Sequence, residues 1–210
     1  MRFNKIFLLL AALLPLMVSC VEAEAPDVSV DPNKMSFNYE GGSFSATITT
    51  NGDWIAESTA SDIVITPSSG SQDGVVRIEV PASRIKETEA AVINFTTSKT
   101  VRDTLKTKKA KMVITREAMP FVELSANEGY VSPDGGGVRV SLSANHDWSY
   151  TATNPINGLT VKPAEGTFNA EVTISLPENT TGAARSSEVV FSLKQYPDVK
   201  AKYTIRQNAK

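Results

Sequence analysis

Gly41-Gly42-Ser43-Phe44-Ser45-Ala46-Thr47-Ile48-Thr49-Thr50-Asn51-Gly52-Asp53-Trp54 is the stretch that decides the fold. It opens on a glycine pair, alternates Phe44, Ala46 and Ile48 with Ser45, Thr47 and Thr49, and closes on a turn before a tryptophan. Period-two alternation of this kind marks a strand with one face buried and one face wet. The same pattern returns as Gly135-Gly136-Gly137-Val138-Arg139-Val140-Ser141-Leu142-Ser143-Ala144-Asn145-His146-Asp147-Trp148. Repetition of a long stretch in register signals duplicated structural units.

The correspondence extends outward in both directions. Upstream, Val28 and Val30 match Val122 and Leu124, and Phe37 matches Val131. Downstream, after a short insertion in the second copy, Pro67, Gly70, Pro81 and Phe95 match Pro163, Gly166, Pro177 and Phe191. Val76, Ile78 and Val80 alternate with Arg77 and Glu79, as Val172, Ile174 and Leu176 do with Thr173 and Ser175. Turn residues separate the strands, for example at Asp31-Pro32-Asn33, Asn51-Gly52 and Asp73-Gly74. About seven or eight short strands and no helix are expected in each copy, which predicts a two-sheet sandwich. The fold class is therefore all-β, two tandem immunoglobulin-like β-sandwich domains at 27–118 and 119–210. The joint Ala118-Met119-Pro120 is short and stiffened by proline, which predicts a fixed arrangement.

A glycine-pair turn, an alternating strand, Asn-x-x-Trp, a Pro-x-x-Gly turn and a late alternating strand occur in this order twice. That order resembles the BACON domain, whose name stands for Bacteroidetes-associated carbohydrate-binding, often N-terminal. The resemblance covers nearly all of the chain after the first two dozen residues. It implies immunoglobulin-like modules of surface lipoproteins and suggests contact with carbohydrate. Many BACON domains carry a further tryptophan before the Pro-x-x-Gly turn, where this chain has Ile63-Val64-Ile65 and Leu159-Thr160-Val161. No catalytic module follows before Lys210, so the domains are expected to act without an attached enzyme.

The N-terminus predicts the cellular address. Arg2 and Lys5 precede an apolar run from Ile6 to Leu14, too short to span a bilayer and of a length suited to a secretory signal. The run closes on Leu16-Met17-Val18-Ser19-Cys20, which resembles a lipoprotein processing site with residues 1–19 removed and Cys20 lipidated. Several acyl chains on one cysteine would anchor the protein durably, since each buried methylene contributes about 0.8 kcal/mol. Residues 20–26 read as an acidic tether, and acidic residues after the cysteine resemble a surface-export signal. The expectation is an outer membrane lipoprotein, exposed at the cell surface and bound to the membrane through its anchor. Cys20 is the only cysteine, which leaves each domain to its hydrophobic core without a disulfide. A net charge of −2 gives no nucleic-acid footprint.

Candidate binding residues are aromatic, because sugar rings present apolar faces to aromatic platforms. Trp54 and Trp148 are such candidates, although parity points them inward: Trp148, Tyr150 and Ala152 share the face opposite Ser149 and Thr151. Tyr39, Tyr130, Phe168 and Tyr196 lie near loops or strand ends, and their gathering on one face would favour glycan binding over a spacer role. Asn51, Asp53, Asn145 and Asp147 are expected to close their own turns. The hairpin from Lys99 to Lys111 carries Lys99, Arg102, Lys106, Lys108, Lys109 and Lys111 against Asp103. Its lysines would discourage edge pairing, or else contact an anionic polysaccharide or lipid. Asp103-Thr104-Leu105 resembles an O-glycosylation signal at Thr104. The single histidine, His146, has Gly52 as its counterpart, and no nucleophile signature accompanies it. The sequence thus predicts a non-catalytic protein needing no cofactor or metal. Its expected partner is a polysaccharide or a mucin-type glycan on a glycoprotein. The alternative is a spacer, assembly or adhesin-type module contacting other envelope proteins.

Overall fold

A computed structural model describes residues 24–210. The signal segment, Cys20 and the start of the tether lie outside the described residues. The first domain comprises β1 (Val28–Asp31), β2 (Lys34–Phe37), β3 (Gly42–Thr50), β4 (Trp54–Ser58), β5 (Val64–Thr66), β6 (Ser69–Gly70), β7 (Gly74–Val80), β8 (Glu89–Val101) and β9 (Thr104–Arg116). The second repeats the order as β10 (Val122–Leu124), β11 (Glu128–Val131), β12 (Gly136–Ala144), β13 (Trp148–Thr153), β14 (Thr160–Lys162), β15 (Glu165–Gly166), β16 (Ala170–Leu176), β17 (Arg185–Leu193) and β18 (Lys200–Gln207).

Each domain packs a four-stranded sheet on a five-stranded one. In the first the orders are β1-β3-β7-β5 and β2-β9-β8-β4-β6; in the second they are β10-β12-β16-β14 and β11-β18-β17-β13-β15. The opening strand of each domain divides between the sheets. β1 pairs antiparallel with β3, whereas β2 runs parallel to β9, and β10 and β11 do the same with β12 and β18. This is the immunoglobulin-like sandwich that the alternation predicts.

The two cores are separate and built alike. Ile48, Trp54, Val76, Ile78, Ile93, Phe95, Met112 and Ile114 fill the first. Leu142, Trp148, Val172, Ile174, Val189, Phe191, Tyr203 and Ile205 fill the second. Every one of these residues lies at an inward position of an alternating strand, so burial follows directly from pattern. Each core is complete between Val28 and Gln207, and each sandwich therefore carries its own hydrophobic driving force.

The tryptophans anchor both interiors. Trp54 is 3% exposed and Trp148 is fully buried. Their indole N–H groups donate to Gln72 O and Phe168 O at 2.9 Å in each case, so the polar edge is satisfied inside. Gly70 and Gly166 sit against the indole rings, where an added Cβ would approach to 2.7 and 2.8 Å. The glycine of the Pro-x-x-Gly turn is thus a packing requirement set by the tryptophan. Burial removes Trp54 and Trp148 as sugar-stacking platforms, because neither ring face reaches solvent.

Candidate functional site

The two sandwiches meet end to end. Residues 117–121 connect the C-terminal end of the first domain to the N-terminal end of the second. Asn145 fixes the connection: its Oδ1 accepts from Phe121 N at 2.9 Å, and its Nδ2 donates to Met119 O at 3.0 Å. Asn51 grips the chain entering the first domain in the same way, accepting from Asp27 N at 2.9 Å and donating to Ala25 O at 2.7 Å. The Asn-x-x-Trp asparagines therefore clamp the incoming strand instead of closing their own turns. Among the described residues no cluster of acidic, histidine or cysteine side chains could hold a metal ion.

Further contacts brace the joint from both sides. Met119 N donates to Ile85 O at 2.8 Å and Glu117 N to Phe37 O at 3.0 Å. Lys86 pairs with Glu123, and its ammonium also stands 5.1 Å from the centre of the Phe121 ring. Tyr196, in the turn between β17 and β18, meets Tyr39 edge to face at 5.2 Å. On its other side it meets the His146 ring at 4.9 Å, also edge to face. His146 Nδ1 lies 2.9 Å from Asn145 Oδ1, which ties this stack to the clamp. Burial raises the Tyr196 phenol above its ordinary range, with Glu117, Tyr39 and Glu40 adding to the effect.

Beside this stack lies an open cleft of about 470 Å³. Lys86 and Glu117 line it from the first domain, and Asn145, His146, Phe168 and Gln195 from the second. The size falls within the range of small-molecule sites. Phe168 is 61% exposed and holds a left-handed backbone with φ of 56°. An aromatic residue seldom adopts that conformation, and such strain is retained where surrounding structure or function demands it. Here the Trp148 indole holds the Phe168 carbonyl, which leaves the ring directed to solvent. Nearby, Lys194 donates to Glu165 at 2.6 Å and holds that carboxyl below its ordinary range.

Of the four surface aromatics, three gather at the joint: Tyr39, Tyr196 and Phe168. Tyr130 stands apart, 63% exposed on β11 toward the far end of the second domain, opposite Arg206. Thr104 is exposed at the start of β9, just after the Arg102-Asp103 turn. Sequence reasoning missed Asn145, His146 and Gln195 as neighbours of the aromatics, since only the end-to-end docking brings them together. It also missed Arg116, whose side chain is 8% exposed and bonds Glu89, Asp62 and Pro81 O.

Comparison with known proteins agrees with the duplicated architecture. No curated protein matches the chain. Among solved structures, protocadherin gamma B2 cadherin domains 1–5 match at 12% identity over 90% of this chain and 40% of that one, with a TM-score of 0.51. Protocadherin gamma B7 domains 1–4 match at 9% identity over 90% and 51%, with a TM-score of 0.52. These likenesses show the fold alone. A Bacteroides ovatus GH5 xyloglucanase in complex with a XXXG heptasaccharide matches at 14% identity over 42% of this chain and 19% of that one. Its TM-score of 0.38 is too low to carry fold or function. The chain thus spans at most about half the length of these structures. The viral BACON domain model matches twice, at residues 27–108 and 122–199, one match to each sandwich. The chain belongs to the viral BACON domain family and carries two copies of it.

Proposed function

We propose that this protein is a non-catalytic, lipid-anchored envelope protein that binds a glycan in the cleft between its two domains. The observation that carries the reading is the exposed Phe168 ring on the cleft, beside amide, imidazole, ammonium and carboxylate groups, with Tyr196 and Tyr39 stacked on the His146 that lines it. A solvent-facing aromatic ring supplies the apolar platform a pyranose face needs, and Gln195, Lys86 and Glu117 supply donors and acceptors for hydroxyls. Membership in a family of carbohydrate-associated modules favours the same ligand class. The lipobox-like Ser19-Cys20 supports an outer membrane location with the domains at the cell surface. A binding role without catalysis is supported by Glu89 and Asp62. These carboxylates line a neighbouring cavity, and both are committed to Arg116 at 2.8 and 3.0 Å.

Affinity gel electrophoresis of residues 24–210 through plant, microbial and mucin polysaccharides tests the proposal. Retardation by one class, lost in Phe168→Ala, is the expected result. Unretarded migration across the panel, or retardation that survives Phe168→Ala and Gln195→Ala, would overturn it. A spacer role is the second reading. It is favoured by the bracing of the joint through Asn145, Lys86 and the Tyr39–Tyr196 pair, which holds the domains as one extended unit.

A further inference from the structure

The β8–β9 hairpin outgrows its own sandwich. Both strands run from the joint end of the first domain to its opposite end, and β4 accompanies β8 only as far as Thr97. There Thr97 Oγ1 donates to Asp53 O at 2.7 Å, which closes the sandwich. From Ser98 the ribbon continues with β8 and β9 paired only to each other. It turns at Arg102 and Asp103, both with positive φ, in the two-residue geometry of a tight hairpin. The free part reaches about 13 Å beyond the sandwich at the usual strand rise.

On the projection the strand lysines share one face, and further lysines stand at its base. Lys99 stands directly opposite Lys106, and Lys108 lies on the same face opposite Thr97. Lys109 and Lys111 occupy the other face at its base, opposite Thr96 and Asn94, where β4 still pairs with β8. Like charges directly across a strand pair are destabilising, so the ribbon holds an arrangement that its own folding does not favour. At the tip, next to the turn, Leu105 is 68% exposed. A leucine presented at the tip, beyond the lysines, matches the layering of a lipid surface, with apolar chains beneath phosphate headgroups.

The direction of the ribbon identifies the surface. Its tip points from the end of the domain at which the chain enters, where Asp27 is held by Asn51. Cys20 stands seven residues before Asp27, a contour of at most about 25 Å. A lipid on Cys20 therefore keeps the bilayer within reach of the hairpin. In the second domain the equivalent strands stop at Leu193 and restart at Lys200, and their turn packs against the first domain through Tyr196.

We propose that the β8–β9 hairpin of the first domain docks on the anionic phosphate headgroups of the membrane that anchors the protein, with Leu105 entering the interface. The docking sets the two-domain rod at a fixed angle to the bilayer. This inference rests on the lipid-anchor reading for its location, although the hairpin's affinity for headgroups is a property of the folded domain alone.

The test is sedimentation of residues 24–210, which contain both complete cores, with vesicles of phosphatidylglycerol and phosphatidylcholine or of phosphatidylcholine alone. The expected result is binding to the anionic vesicles only, weakening as salt screens the charges. Lys106→Gln/Lys108→Gln/Lys109→Gln should reduce it by about fivefold per lysine, and Leu105→Ser should reduce it further. These exposed substitutions leave the core untouched, and circular dichroism checks the fold. Equal binding to both vesicle types, no binding to either, or full binding by the triple variant would overturn the proposal. So would retention by an anionic polysaccharide without vesicle binding. Palmitate labelling of the full chain with and without Cys20→Ser tests the anchor separately, so the two failures are distinguishable.

Discussion

Tyr196 of the second sandwich meets Tyr39 of the first edge to face, their ring planes at 89° and their centroids 5.2 Å apart. Neither ring has an aromatic counterpart in the other copy: Tyr39 aligns with Pro133. The pair is thus a property of the joint and not of the repeated fold. Edge-to-face pairs contribute about 0.5–1.5 kcal/mol beyond the area they bury. A double-mutant cycle on Tyr39→Ala and Tyr196→Ala should return a coupling of about 1 kcal/mol in chemical denaturation. Small-angle scattering should show a broader distribution of interdomain distances in either single variant.

The same pair makes the joint sensitive to alkali. Burial and neighbouring carboxylates raise the Tyr196 phenol above its reference value of 10.0. The folded state therefore holds this proton more tightly than the unfolded chain does. Its stabilising contribution is complete below the unfolded value and is lost as pH rises through the folded one. Ultraviolet titration should show Tyr196 ionising late, together with Tyr203, which burial also raises. Interdomain order should decline only as Tyr196 ionises.

Asn145 and Asn51 make equivalent bonds with different consequences. Losing two hydrogen bonds to backbone should cost about 1–3 kcal/mol in either alanine variant. Asn51→Ala should loosen only the entry to the first domain. Asn145→Ala should also free Met119 and Phe121, and so the relative orientation of the domains. Residual dipolar couplings measured on both domains distinguish the two outcomes.

Gly166→Ala should be as damaging as a core substitution, although the residue belongs to a two-residue edge strand. Its Cβ would come within 2.8 Å of Trp148 Cζ2. Overpacking of this kind costs about 1–3 kcal/mol. A lowered midpoint with altered Trp148 fluorescence is expected, and Gly70→Ala should act likewise on Trp54.

Arg116 offers a further test of stability. Its guanidinium bonds Glu89 at 2.8 Å, Asp62 at 3.0 Å and Pro81 O at 2.7 Å. In the second domain this place is taken by Gln207, and the Glu89 position by Arg185, so the same corner is closed with the charge moved to the other strand. Arg116→Ala should cost about 3 kcal/mol, near the lower end for a buried pair because both carboxylates stay partly hydrated. Arg116→Gln should recover part of the loss, as measured by urea denaturation.

The sandwich was readable because strand alternation and burial are the same fact at two levels. Phe44, Ala46 and Ile48 point where their spacing says, and the Ser-Tyr-Thr-Ala run after Trp148 announces an inward indole. The joint was far less readable. Asn145 looked like a turn closer, since Asx residues bond nearby amides in most turns; only the docked strand revealed its true partners. Phe168 lies in a turn by its sequence, but nothing in that sequence announces its left-handed backbone or the bond its carbonyl accepts from Trp148 of β13. Contacts between copies leave no periodic trace, because each residue's own strand neither requires nor forbids them.

The unequal hairpins make the order of the two modules directional. The ribbon ending at Arg102 has no equivalent on the second domain, where the turn between the matching strands packs against the first domain through Tyr196. Exchanging the modules would drive the ribbon through its neighbour, and any longer array grown by duplication would have to copy the second module.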